Sequence, residues 1–221
     1  MKIIGHRGAK GLAPENTIAG FKKALEHHVD AIELDVRVTK DGKTVLLHDG
    51  KLIDRAGNKL IVADHTFDEL QQHKPDLTGL EEAIACVNRE VPLLIEVKPG
   101  VPVKQTIEIV ERFLKKGWTF DDLQFISFSF PVLKQLRKAF PEATIIVDEM
   151  WSGVRASWRA RRLGTRHVSM YRPFLWFGFI RSVSRSHYYL YAFPLNDAVK
   201  AHRWAKYGLH GVITDRPDLF E

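Results

Sequence analysis

Cysteine, long apolar runs and, over one extended stretch, negative charge are scarce in this chain. Cys86 is the single cysteine in 221 residues, so no intrachain disulfide can form. It sits in LEEAIACV at a helix-like apolar spacing and is expected as buried packing. The lack of further cysteine ligands and of an HExxH sequence argues against a zinc hydrolase. No uninterrupted run approaches the ~20 apolar residues of a membrane span. The opening MKIIGHRG has no apolar signal core, so a cytoplasmic protein is expected. No linker rich in glycine, serine or proline divides the chain, and residues 1–221 are expected to form one domain.

Between Met150 and Asn196 there is no aspartate or glutamate, while eight arginines lie between Arg155 and Arg185. Trp158, Tyr171, Phe174, Trp176, Phe177 and Phe179 are interleaved with them. Such a segment suits an anionic lipid surface or nucleic acid. In the alternative reading, PFLWFGFI packs on a core and the arginines stay solvated. Nucleic acid rests on this stretch and the net charge of +6 alone and is not expected as a partner, whereas peripheral membrane contact through 150–196 stays open.

With 45% hydrophobic residues the chain can bury a sizeable core. Apolar, β-branched runs alternate with helix-period segments. The strands are expected at 2–7, 31–36, 92–98, 123–128, 144–149, 167–172, 189–195 and 211–215. Helices are expected at 17–28, 80–88, 103–116, 132–140, 154–163, 174–184 and 198–207. Eight strands joined by helical crossovers predict an α/β fold, a (β/α)8 TIM barrel, with a short β-hairpin extension after the second strand. An open doubly wound sheet is compatible with the same periodicity. Asp41-Gly42 is the hairpin signal; a two-residue turn there pairs Lys40 with Lys43 and, by extension, Asp35 with His48.

Either architecture places function at the carboxyl ends of strands. His6 and Arg7 follow the first strand, Glu33 and Asp35 share a face of the second, Glu96 and Lys98 end the third, and Asp215 ends the last. Three carboxylates, Glu33, Asp35 and Glu96, on one rim repel one another unless a cation joins them, and all-oxygen donors suit Mg²⁺ or Ca²⁺. Arg7 and Lys98 can hold an anionic group beside that ion. His6 and His48 then form a general acid and base pair near neutral pH. The set suits phosphoryl transfer. Singly, these residues have ordinary explanations, such as a Glu96–Lys98 salt bridge.

HRG (6–8), PENT (14–17), IELDVRVTKDG (32–42), LLHD (46–49), LTGLEEAI (77–84), IEVK (95–98), ISF (126–128) and GVITDRP (211–217) together resemble the glycerophosphodiester phosphodiesterase family. The resemblance runs in order through almost the whole chain and is weakest from about Gly153 to Asn196. It implies a TIM barrel related to phosphatidylinositol-specific phospholipase C, with Ca²⁺ or Mg²⁺ on Glu33, Asp35 and Glu96. It also implies His6 and His48 as acid and base, and Arg7 and Lys98 on the phosphate. The implied reaction is metal-dependent hydrolysis of glycerophosphocholine, glycerophosphoethanolamine and similar diesters to sn-glycerol 3-phosphate and an alcohol, through a cyclic phosphate. A lysophospholipase D-like activity on monoacyl lipids is the alternative within that chemistry. A catalytically silent lipid-headgroup or anion-binding protein is the alternative outside it. Many relatives carry a Trp-Thr-Val-Asn run where this chain reads YAFPLND, which keeps Asn196 and puts Tyr191 and Phe193 in the expected substrate wall. The short stretch LIDRAGNKLIVADHTFDEL after the His-Asp pair leaves little room for a large cap.

Overall fold

A computed structural model describes residues 1–54 and 57–221. In chain order the barrel strands are β1 (Lys2–Gly5), β2 (Ala31–Val38), β6 (Leu93–Val97), β7 (Leu123–Ser127), β8 (Ile145–Glu149), β9 (His167–Tyr171), β10 (Tyr189–Phe193) and β11 (Leu209–Thr214). They pair in parallel, and β1 pairs with both β11 and β2, so the sheet closes on itself. The open-sheet alternative is thereby excluded. The crossovers carry α1 (Ile18–Glu26), α3 (Leu80–Val87), α4 (Lys104–Leu114), α5 (Phe130–Ala139), α6 (Gly153–Arg162), α7 (Phe177–Arg185) and α8 (Ala198–Ala205). Each expected strand and helix is present, with ends displaced by up to three residues.

The strands are apolar on both faces because both are covered. Ile32, Leu34, Ile95, Phe125, Ile145 and Val147 face the helices in the large core. Ile4, Ala31, Leu94, Ile126, Ile146, Tyr191 and Ile213 form a separate cluster that fills the barrel interior. The side-chain period of two then fixes what stands one layer higher on that interior face: His6 above Ile4, Glu33 above Ala31, Glu96 above Leu94, Asp148 above Ile146, Asp215 above Ile213. An apolar plug thus floors a polar mouth.

The hairpin differs from its expected register. β3 (Thr44–Leu46) pairs antiparallel with β2 as Val36 with Leu46 and Val38 with Thr44, which sets Asp35 opposite Leu47 rather than His48. The turn is one residue longer than expected: Thr39 pairs with Lys43, Gly42 takes φ +79°, and the Thr39 hydroxyl accepts from the Lys43 amide at 3.0 Å. This is the three-residue loop with glycine at the left-handed position. After Leu46 the chain leaves the ladder, which carries His48 to the mouth by another route.

Beyond it, β4 (Lys51–Ile53), β5 (Lys59–Ile61) and α2 (Phe67–His73) add to the expected elements. Arg55 and Ala56 of the stretch read as too short for a cap lie outside the described residues. Val45, Leu60, Val62, Leu70 and Leu77 give this extension a small core of its own, and none of its described residues from 50 to 79 lines the mouth of the barrel. Cys86 is half-buried, so the expected burial is only partly realised: it falls at the margin of the inward stripe formed by Leu80, Ala83, Ile84 and Val87. No helix among the described residues is long and apolar enough to cross a membrane.

At the opposite end of the barrel the His167 ring lies tilted against Tyr189 and stacked with Tyr191, with its Nδ1 3.2 Å from the Tyr191 hydroxyl. Burial, and then the neighbouring His210, lower its pKa from 6.5 to about 4. The unfolded chain therefore takes up a proton at higher pH than the native state does. The stability contributed by keeping His167 neutral is complete above pH 6.5 and is lost as pH falls toward 4. Urea unfolding at several pH values is expected to show a slope that His167→Phe flattens by about 1–2 kcal/mol between pH 7 and 4.5, after discounting for the part of the ring that solvent reaches. Parallel profiles for the two proteins would contradict this.

Candidate active site

The HRG segment turns sharply off β1. Arg7 sits at φ +51° and Gly8 at φ +84°, and a Cβ on Gly8 would lie 2.6 Å from the Gly20 carbonyl of α1. Only glycine meets both demands. The turn aims the Arg7 amide at Glu33 Oε2, 3.0 Å away. The PENT segment completes the frame, one task per residue. Glu15 Oε2 accepts from Arg7 Nη1 at 3.0 Å. Asn16, at φ +57°, brackets Asp35: its Nδ2 donates to Oδ2 at 2.9 Å and its Oδ1 accepts from the Asp35 amide at 3.1 Å. Thr17 caps α1 by accepting from the Gly20 amide.

Asp35 and Glu96 are direct partners on β2 and β6, and Glu33 stands one inward position below Asp35. One carboxylate oxygen from each of the three lies within 4.8 Å of the others, all buried. Lys98 Nζ bridges Asp35 Oδ1 at 2.6 Å and Glu96 Oε2 at 2.5 Å, and Arg7 Nε lies 3.0 Å from Asp35 Oδ2. The expected Glu96–Lys98 salt bridge therefore exists and is part of the cluster. Burial alone would raise Asp35, but Lys98 and Arg7 outweigh it and hold the carboxyl well below the usual range. Burial, then Asp35 and Glu96, push Glu33 well up; burial, with Asp35 and Asp148 beside it, pushes Glu96 up to about 8. Two buried carboxylates thus lack enough positive charge. Glu96 Oε1 also has no hydrogen-bond partner among the described residues. A hard divalent cation taking oxygen ligands meets both deficits, so the cluster could hold a metal ion.

His6 follows β1 level with Asp215 after β11, and its Nδ1 is 2.6 Å from Asp215 Oδ1. Asp215 is held low, against the effect of burial, by His6 and Asn196, so its carboxylate is an acceptor only. Facing that acceptor, a neutral imidazole carries its proton on Nδ1, which leaves Nε2, 4.0 Å from Glu33 Oε2, able to accept at the mouth. His48 Nδ1 is likewise 2.8 Å from Asp49 Oδ1. Burial, then Lys98, lower the His48 pKa.

A cavity of ≈ 280 Å³ brings His6, Arg7, Glu33, His48, Glu96 and Lys98 to one surface; Asp35 lies behind it, fully buried. Sequence reading missed Asp148, which lines the cavity and which burial pushes up to about 7. It also assigned no task to Asn196, whose Nδ2 donates to Asp215 Oδ2 at 2.9 Å while its Oδ1 accepts from the Thr214 hydroxyl and the Asp215 amide. The expected aromatic wall is half right. Phe193 lines the cavity with Phe128 and Tyr171, but Tyr191 lies one inward position lower, in the plug. Cys86 is not among the lining residues.

Residues 6–219 match the model of the glycerophosphoryl diester phosphodiesterase family. The chain is 31% identical to YhdW of Bacillus subtilis (strain 168), over 99% of this chain and 96% of that protein. It is 29% identical to a glycerophosphodiester phosphodiesterase of Caldanaerobacter subterraneus subsp. tengcongensis, over 98% and 94%. Its structure is similar to that of an Oleispira antarctica phosphodiesterase solved with the product sn-glycerol 3-phosphate, with a TM-score of 0.88 and 26% identity over 100% of this chain and 95% of that one.

Proposed function

The chain belongs to the glycerophosphoryl diester phosphodiesterase family and is a phosphodiester hydrolase of that class, and on that premise we propose that residues 1–221 act as one domain that cleaves glycerophosphodiesters to sn-glycerol 3-phosphate and an alcohol, with His6 and His48 as the acid–base pair. The observation that carries this reading is the opening of both histidines, and of Glu33 and Glu96 from the three-carboxylate cluster, into one cavity. The product bound in the similar Oleispira enzyme supports the substrate class.

Glu33, Asp35 and Glu96 would hold Mg²⁺ or Ca²⁺, which supplies positive charge to the phosphoryl oxygens as negative charge builds there. The protein does the rest. Lys98 donates to Glu96 Oε2 and pairs ionically with Asp35, and its ammonium keeps an N–H for a phosphate oxygen; the Arg7 guanidinium, which lines the cavity, is a second donor. One histidine takes the proton of the glycerol 2-hydroxyl as its oxygen attacks phosphorus, and the other protonates the departing alcohol oxygen. The P–O bond to the alcohol breaks and a cyclic phosphate remains. With the histidines reversed, water then opens that ring at the bond to the 2-oxygen. A free neighbouring hydroxyl on the glycerol half is thus required.

Release of sn-glycerol 3-phosphate from glycerophosphocholine and glycerophosphoethanolamine, measured with Mg²⁺, with Ca²⁺ and with chelator, tests the proposal. Metal-dependent release is expected, and on both head groups, because none of the described residues from 50 to 79 lines the cavity. Absence of release under every metal would defeat the catalytic reading and favour a silent anion-binding role.

A further inference from the structure

The PFLWFGFI stretch divides between the two roles considered for it. Leu175 and Ile180 are buried and Phe179 packs against the core, whereas Phe174, Trp176 and Phe177 project into solvent. Trp151 and Val154, from the loop after β8 and the start of α6, are exposed as well: Trp151 is 63% exposed, Val154 83%, Trp176 59% and Phe177 60%. β8 and β9 are neighbours, and their loops meet where Trp151 packs edge-on against Phe174 at 5.2 Å. Burying apolar side chains of this size is favourable, so a patch of five left in water marks a contact surface.

The patch is continuous with the cavity. Ring contacts lead from Phe128 through Phe193, Tyr171 and Phe174 to Trp151, that is, from the cavity wall to the exposed rim. Its charge is of one sign. Arg155 and Arg159 neutralise the buried Glu149, but Arg172, in the same loop as Phe174, and Arg181, one turn along α7 from Phe177, have no ion-pair or hydrogen-bond partner among the described residues. No acidic side chain occurs from Met150 to Asn196 to oppose them. Gly178 shapes the tip: a Cβ there would fall 2.0 Å from the Trp176 ring, so the glycine lets the indole lie over the start of α7.

We propose that the loops after β8 and β9 form an interfacial face that seats the open mouth of the barrel on an anionic lipid surface. Exposed tryptophan and phenylalanine beside unpaired arginine, around a concave mouth, match the amphipathic boundary of a bilayer: rings enter the headgroup layer while guanidinium groups meet lipid phosphates. The interface rests on the phosphodiesterase reading only in that the mouth so presented is the one to which that reading assigns the chemistry.

The test is co-sedimentation of the full chain with vesicles of phosphatidylcholine alone and of phosphatidylcholine containing one quarter phosphatidylglycerol, at low and high salt. Apparent affinity is expected to be at least tenfold higher for the anionic vesicles and to fall with salt, as two arginines at a charged surface imply. The double variant Trp176→Ser/Phe177→Ser and the double variant Arg172→Glu/Arg181→Glu should each lose at least tenfold, while their turnover of soluble glycerophosphocholine stays at the wild-type level. That turnover reports folding and the phosphodiesterase reading separately from the interface. No vesicle binding, or wild-type binding in both variants, would overturn the proposal. So would a wild-type dimer that the aromatic variant dissociates, which assigns the patch to a second copy, or preferential binding of an oligonucleotide, which assigns it to nucleic acid.

Discussion

Asp215→Asn is expected to lower kcat on a glycerophosphodiester by roughly 10²-fold or more with the fold intact, nearly the loss from His6→Gln itself. The reason lies in the hydrogen-bond chain behind His6. Asn196 Oδ1 accepts from the Thr214 hydroxyl and the Asp215 amide, which fixes the Asn196 amide so that its Nδ2 donates to Asp215 Oδ2 at 2.9 Å. An asparagine at 215 must therefore turn its own carbonyl oxygen toward Asn196 and its NH₂ toward His6. The NH₂ is a donor, so His6 Nδ1 must give up its proton, and the proton moves to Nε2. The atom facing the cavity becomes a donor, and His6 loses the acceptor it needs in the half-reaction where it acts as base. Wrong-tautomer effects of this kind are large where a carboxylate orients a catalytic histidine. Asn196→Ala removes the constraint and should cost less. Steady-state kinetics beside a thermal melt decide it: a folded Asp215→Asn enzyme within about threefold of wild type would refute this account of His6.

The second large effect concerns the carboxylate cluster. Mg²⁺ or Ca²⁺ at about one hundred times its Kd is expected to stabilise the protein by about 2.7 kcal/mol, because a cation held only by the native state acts by mass action. For a chain of this size that corresponds to a rise in Tm of roughly 5–10 °C over the chelated protein. Glu96→Gln should remove most of that rise together with at least 10²-fold of turnover. It is the appropriate variant because Lys98 keeps its contact to Asp35, so no buried cation is stranded. Asp35→Asn would instead weaken the compensation of both Arg7 and Lys98 and would confound activity with folding. Identical melts with metal and with chelator would count against a metal at this site, and a Glu96→Gln enzyme with normal turnover would remove Glu96 from it.

Much of this arrangement is legible in the sequence alone. Hydrophobic runs interrupted by helix-period segments gave the number and kind of elements, because strands buried on both faces and amphipathic covering helices leave different periodicities. The carboxylates in IELDV and IEVK stood out because valine or isoleucine is the expected occupant of a buried strand, and the i, i+2 spacing put Glu33 with Asp35 and Glu96 with Lys98. Chain order and local pattern therefore determined the barrel topology and the rim on which polar residues gather.

What the sequence could not determine was phase, register and reach, since each depends on contacts between distant segments. In TIIVDE the neighbours Asp148 and Glu149 point to opposite faces; only the closed barrel shows Asp148 turned to the cavity and Glu149 turned out to Arg155 and Arg159. The hairpin register followed from Gly42 at φ +79° and a three-residue loop, a choice that Asp-Gly alone leaves open. Tyr191 and Phe193 share a face, but the plug takes the first and the cavity wall the second, because height along the barrel is set by neighbouring strands. The tautomer of His6 was furthest from the sequence: closure of the barrel brings a residue near the start of the chain within 2.6 Å of one near its end, and Asn196 holds that partner in place.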